Sequence, residues 1–107
     1  MKKILMIATG GTIASRRMGG GLEPLLTSQE VLQYVPGVQE FCTVDTLQLF
    51  NLDSTNIWPG HWLKIVAAIA EHYAAYDGFV ICHGTDTMAY TAAALSYLIQ
   101  NCPKPIV

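Results

Sequence analysis

Two threonine-bearing segments hold the most specific chemistry in this sequence. Thr9-Gly10-Gly11-Thr12-Ile13-Ala14 follows the apolar run Ile4 to Ala8, and His83-Gly84-Thr85-Asp86-Thr87 follows the apolar run Phe79 to Cys82. Each reads as a buried strand that ends in glycine and then presents hydroxyls. A third polar strand end, Asn51-Leu52-Asp53-Ser54-Thr55, follows Phe41 to Phe50, a run rich in β-branched and aromatic residues. In an open α/β sheet, ligands bind outside the carboxyl ends of the strands. A threonine hydroxyl is a weak nucleophile and needs a positioned base or charged neighbour to take its proton. Asp86 supplies a carboxylate beside Thr85, and Gly10, Gly11 and Gly84 let backbone N–H groups approach a developing oxyanion. A buried carboxylate there would also hold a substrate ammonium. A plainer reading stands beside this one: glycine after a strand is turn chemistry, and Ser, Thr and Asp there cap helices.

The elements that must position these groups follow from periodicity. Lys3 to Ala8 is short, continuous and apolar, which predicts a fully buried strand. Ser15 to Pro24 reads as a loop, and Gly19-Gly20-Gly21 makes it a candidate movable lid. Thr27-Ser28-Gln29-Glu30 resembles a capping box, so a short helix is expected to follow and stop before Pro36-Gly37. Trp62, Ile65, Val66, Ile69, Tyr73 and Tyr76 form one helical stripe, predicting an amphipathic helix from about Pro59 to Ala75. His61 and His72 fall off that stripe and are expected to be solvated. Asp77-Gly78 turns the chain into strand Phe79 to Cys82. Met88, Thr91, Ala92, Leu95 and Ile99 make the next stripe, on a helix whose opposite face is also weakly polar and expected to be covered. Lys104 to Val107 reads as the start of another strand. This alternation predicts an α/β fold, a parallel sheet with flanking helices and right-handed crossovers.

Composition narrows the class. The 107 residues suffice for one modest domain, and their net charge of −2 comes without a basic patch, which argues against nucleic acid. No apolar stretch reaches the roughly 18 residues of a membrane span. Lys2-Lys3 before an apolar run mimics a signal peptide, but the run is short and no cleavage site fits. Cys42, Cys82 and Cys102 are odd in number and set in apolar surroundings, so reduced thiols and the cytoplasm are expected. No spacing of His, Cys or acidic residues matches a metal site. Thr9-Gly10-Gly11-Thr12 lacks the third glycine of a dinucleotide fingerprint and the lysine of a P-loop, which disfavours a nucleotide-binding module. His83 is a candidate base, though a histidine packed at a strand end is more often structural. Trp58 and Trp62 read as packing residues.

Thr9 to Ala14 and His83 to Ser96 closely resemble the two signature motifs of the bacterial asparaginase–glutaminase family, and Asp53-Ser54-Thr55 is most similar to its cytoplasmic, type I branch. The resemblance runs over nearly the whole chain. It implies an N-terminal asparaginase domain portion over residues 1–107. It also implies hydrolysis of L-asparagine to L-aspartate and ammonia, no cofactor, and a homodimer or homotetramer with sites completed between subunits. By resemblance, Thr12 is the acylated nucleophile and Thr85 the second catalytic threonine. Asp86 binds the substrate α-amino group and joins Thr85 in a Thr–Lys–Asp network. Ser54, with Asp53 and Thr55, holds the substrate's α-carboxylate and amine.

Two positions depart from the family pattern. Leu22 stands where many members carry a loop tyrosine that assists the first threonine, which leaves Glu23 or a residue outside this chain to activate Thr12. The family's catalytic lysine falls beyond Val107, and Lys104 is too near the second motif to replace it. The expectation is a fragment of a longer protein with an incomplete site and an uncovered sheet edge prone to self-association. Two alternatives remain: a fragment that binds aspartate or asparagine without turnover, and the asparaginase-like subunit of a tRNA-dependent amidotransferase. The second would carry an extra N-terminal domain, whereas Met1 here directly precedes the first strand.

Overall fold

The computed structural model describes residues 1–10, 16–18, 21–23, 30 and 32–107, with the backbone alone for 16–18 and 21–23. Strand β1 (Lys2–Ala8) is central. It is flanked by β4 (Cys42–Gln48) and β5 (Gly78–Cys82), both parallel to it. The register is regular: Ala8 lies opposite Gln48 on one side and Cys82 on the other. All three strands therefore end in one row, and their following loops leave the sheet at the same level. Val107 donates to the Phe79 carbonyl and accepts from the Ile81 N–H, so residues 105–107 extend the sheet beyond β5, as Lys104 to Val107 suggested.

Between β1 and β4 in the chain lies an antiparallel hairpin of β2 (Arg16–Met18) and β3 (Gly21–Glu23). This corrects the expectation of an irregular loop over Ser15 to Pro24. Gly19-Gly20 lies between the two strands in the sequence. Leu22 pairs with Arg17 in that ladder. Helical backbone at residues 30 and 32 agrees with a short helix before Pro36, but a 3-10 helix over Pro36–Glu40 then follows where a break was expected. Pro36 at its first turn supplies a preset φ without needing an N–H partner.

Helix α1 (Pro59–His72) and helix α2 (Met88–Leu98) complete the domain. A 3-10 turn at Tyr73–Ala75 carries α1 to the end predicted for it. The core joins Leu5 and Ile7 of β1 to Ile65, Ala68 and Ile69 of α1, Phe79 of β5 and Leu95 of α2. Alternation along β1 puts Leu5 and Ile7 on this face, while Ile4 and Met6 line an apolar cavity on the other with Leu32, Val35 and Val38. Two off-stripe histidines are half-buried rather than simply solvated. His61 Nδ1 accepts from the Trp58 N–H at 3.1 Å, satisfying an orphan donor at the start of α1, and His72 Nδ1 lies 2.8 Å from the Ala68 carbonyl. Trp58 is 63% exposed and lies across Gly60, so it is not the packing residue expected. Trp62 is half-buried between α1 and α2, as expected. Among the described residues, no helix is long and apolar enough to cross a membrane.

At the opposite, amino edge of the sheet, Asp77 and Lys3 exchange two bonds: Lys3 N–H to Asp77 Oδ2 at 2.8 Å and Asp77 N–H to Lys3 O at 2.7 Å. The Lys3 N–H holds the Asp77 carboxyl below its ordinary value, against partial desolvation and aided by the charges of Lys2, Lys104 and the amino terminus. A carboxyl lowered in the folded state stabilises above its unfolded value, and that contribution vanishes as pH falls through the lowered value. Asp77→Asn is therefore expected to be less stable than wild type near neutral pH and equally stable in acid, as measured by urea unfolding at both.

Candidate active site at the carboxyl ends of the strands

The chain leaves β1 for β4 on one side, then returns through α1 to β5 on the other. The order therefore reverses between β1 and β5, and a reversal of this kind opens a crevice at the carboxyl edge. The two threonine segments emerge from these two strands. Thr9, 1% exposed, binds them together: its N–H donates to the Cys82 carbonyl at 3.0 Å and its Oγ1 to the same oxygen at 2.7 Å. The Thr9 carbonyl accepts from the Leu52 N–H at 2.8 Å, which ties in the loop after β4. Gly10 follows with φ +97°, a left-handed conformation in which a Cβ would stand 2.7 Å from the Leu52 backbone N and O. Only glycine allows both the turn and the approach.

The loop after β4 is folded on itself. Asp53 Oδ1 accepts from the Thr55 N–H at 3.1 Å and caps a short 3-10 turn over Ser54–Asn56. The plainer, capping role thus holds for Asp53. Ser54 is buried, while Asp53 and Thr55 are exposed. Thr87 is the N-cap residue of α2, but its side chain makes no capping bond; its Oγ1 donates instead to the Ser54 carbonyl at 2.8 Å. That bond joins the second and third strand ends directly. Thr85 and Asp86 sit exposed between buried Gly84 and half-buried Thr87. The structure thus brings together the segments of Asp53, Ser54, Thr55, Thr85 and Asp86. Thr12 lies outside the described residues.

Sequence reasoning assigned no role to Thr9, Thr87 or Thr91. Thr91 had a readable signal, since a hydroxyl on an otherwise apolar buried stripe must find a partner. It touches two: Trp62 Nε1 at 3.0 Å and His83 Nε2 at 2.8 Å. His83 is buried and fully engaged, its Nδ1 lying 2.6 Å from the Gly84 carbonyl, which supports the structural role over that of a base. Burial pushes the Cys82 thiol up and keeps it protonated, so it is not a competing nucleophile. Lys104 does not stand in for a catalytic lysine. Its Nζ donates to the Tyr73 and Tyr76 carbonyls and lies over the Tyr73 ring, ahead of β5 and thus at the wrong edge of the sheet.

Fold and site define a parallel α/β domain that carries exposed hydroxyl and carboxylate groups at the carboxyl edge of its strand reversal. Residues 3–107 match the family described as "Asparaginase, N-terminal", and the chain belongs to that family. It is 44% identical to an L-asparaginase of Thermococcus kodakarensis over 98% of this chain and 32% of that protein. The solved structure of the thermostable L-asparaginase from that organism superposes with a TM-score of 0.84 at 43% identity, covering 97% of this chain and 32% of the other. A glutamyl-tRNA(Gln) amidotransferase component from Metallosphaera sedula is 41% identical over 98% of this chain and 25% of that protein. A probable cytoplasmic L-asparaginase from Campylobacter jejuni superposes with a TM-score of 0.80 at 33% identity, over 86% of this chain and 30% of the other. The chain spans about a third or less of the length of these relatives.

The Gly10 contact makes a direct test. Gly10→Ala adds left-handed strain of about 1–3 kcal/mol and a clash with Leu52 backbone, so unfolding by urea is expected at clearly lower concentration. Gly37→Ala, where a Cβ meets nothing within 4 Å, is expected to leave stability unchanged or raise it by up to about 1 kcal/mol.

Proposed function

We propose that residues 1–107 form the N-terminal part of the α/β domain of a cytoplasmic, homo-oligomeric L-asparaginase that needs no cofactor. In this reading Thr12 Oγ attacks the side-chain amide carbon of L-asparagine. The C–N bond breaks, ammonia leaves with the proton taken from Thr12, and an aspartyl ester remains. Water then cleaves that ester, releasing L-aspartate and restoring the hydroxyl. Asp86 holds the α-ammonium by charge, Ser54 with Asp53 and Thr55 holds the α-carboxylate and amine, and Thr85 assists proton transfer. Thr85 calls for a lysine that the described residues do not place near it.

One observation carries the reading most directly: the Thr87–Ser54 bond fastens the Asp53-Ser54-Thr55 segment to the Thr85–Asp86 loop. In this reading the hydroxyl and carboxylate of one loop and the amino-acid-holding segment of the other face a common substrate, as amide hydrolysis of a small amino acid requires. Membership of the asparaginase family supports the same chemistry. The amidotransferase reading is favoured by the 41% identity to the Metallosphaera sedula protein, and it differs in its partner: ammonia release would then serve a tRNA-bound acceptor.

The test is ammonia release from L-asparagine by a chain of the relatives' length and by residues 1–107 alone. The longer chain is expected to turn over without tRNA, to lose several orders of magnitude with Thr12→Ala, and to show a raised KM with Asp86→Asn. Residues 1–107 alone are expected to be nearly inactive. Comparable rates for the two lengths would overturn the proposed need for a lysine supplied from elsewhere. Dependence on tRNA would favour the amidotransferase reading.

A further inference from the structure

Behind the second threonine loop, four residues form a single directed chain of hydrogen bonds. Trp62 Nε1 can only donate, and it does so to Thr91 Oγ1 at 3.0 Å. The Gly84 carbonyl can only accept, so His83 Nδ1, 2.6 Å away, must carry a hydrogen. In the neutral imidazole, Nε2 is then the acceptor, and the Thr91 hydroxyl 2.8 Å away must be its donor. With the imidazole neutral, every hydrogen along the chain runs from Trp62 through Thr91 and His83 to Gly84. His83 and Thr91 are 4% and 3% exposed, so water does not compete for these bonds.

The chain ends on the peptide that introduces Thr85. A trans peptide is planar, with its C=O and N–H pointing opposite ways, and no cis bond occurs among the described residues. Holding the Gly84 carbonyl on the His83 ring therefore turns the Thr85 N–H away from that ring. Gly84 has no side chain to restrict its own dihedrals, so an external tether is what fixes this plane.

We propose that His83 and Thr91 are positioning residues: they lock the Gly84–Thr85 peptide so that Thr85 and Asp86 meet the substrate in one orientation. The proposal rests on the asparaginase reading for its consequence in turnover, but the lock itself is independent of that reading. Both are buried behind the loop, and the role assigned to them is to hold it. Trp62 extends the lock to α1, so the loop is referenced to both helices.

The experiment uses a chain of the relatives' length and combines ¹⁵N NMR with ammonia-release kinetics for wild type, Thr91→Val and Thr91→Ser. Wild type is expected to show His83 as the Nδ1–H tautomer. Thr91→Val should shift the His83 ring nitrogens, move the Thr85 and Asp86 amide signals, and lower kcat by about tenfold or more with a smaller change in KM. Thr91→Ser should restore all three. Thr91→Val strands two buried polar groups, so the double change Thr91→Val with Trp62→Phe replaces it if the single variant fails to fold. An Nε2–H tautomer in wild type, unmoved Thr85 and Asp86 amides in the variant, or no rescue by serine would each overturn the proposal. Absence of turnover in the wild-type chain of that length, with the NMR results as expected, would overturn the asparaginase reading and leave the lock standing.

Discussion

The structure of the site depends on Thr9. Three strands end in one row, and that row becomes a site only if the loops leaving it are held against each other. Thr9 does this with three bonds, two to the Cys82 carbonyl and one from the Leu52 N–H. The hydroxyl bond to Cys82 is made by a side chain that is itself part of the loop after β1, so the closure is specified by sequence and not by the ladder alone. Gly10 then allows the chain to turn tightly against Leu52. A backbone carbonyl that accepts two bonds is well satisfied, which makes the junction rigid at little cost in unpaired polar groups.

From that junction the remaining geometry follows in order. The loop after β4 is fixed at Leu52 and closed by the Asp53 cap, which delivers the Ser54 carbonyl to Thr87. The loop after β5 is fixed at Cys82, at Thr87 and, through Gly84, at the buried His83–Thr91–Trp62 chain. Thr85 and Asp86 are exposed between these anchors. Rigid supports around two exposed polar groups are what the proposed catalysis would need. The arrangement also separates roles within similar residues: Thr9, Thr87 and Thr91 bind the scaffold, while Thr85 faces outward.

Much of this was legible in the sequence because burial writes a pattern. β1 and β5 are unbroken apolar runs, and α1 shows its stripe from Trp62 to Tyr76, so the sheet and its helix follow from periodicity. The β2–β3 hairpin was not legible, since Arg16-Arg17-Met18 and Gly21-Leu22-Glu23 show neither alternation nor a β-branched run. The 3-10 helix over Pro36–Glu40 was hidden by a proline and glycine that usually mark a break. His61 lies off the apolar stripe, yet its ring takes the Trp58 N–H, a local capping bond that hydropathy does not register. In the candidate site, Asp53, Ser54, Thr55, Thr85 and Asp86 were found as strand-end polar residues, because loops at that edge are short and their chemistry is concentrated. The ties of Thr9 to Cys82, Thr87 to Ser54 and Thr91 to Trp62 depend on residues 29 to 73 positions away, and no local pattern encodes a partner at that distance.

The central proposal is that three strand-end loops, interlocked through Thr9, together bind a small amino acid. Its most direct measurement is a titration of the ¹⁵N-labelled protein with L-aspartate, followed amide by amide. Shifts gathered at Thr9–Gly10, Leu52–Thr55 and Gly84–Thr87, moving together with a single apparent affinity, are the result this account predicts. Shifts confined to one of the three loops, or centred on the outer faces of α1 and α2, would contradict it.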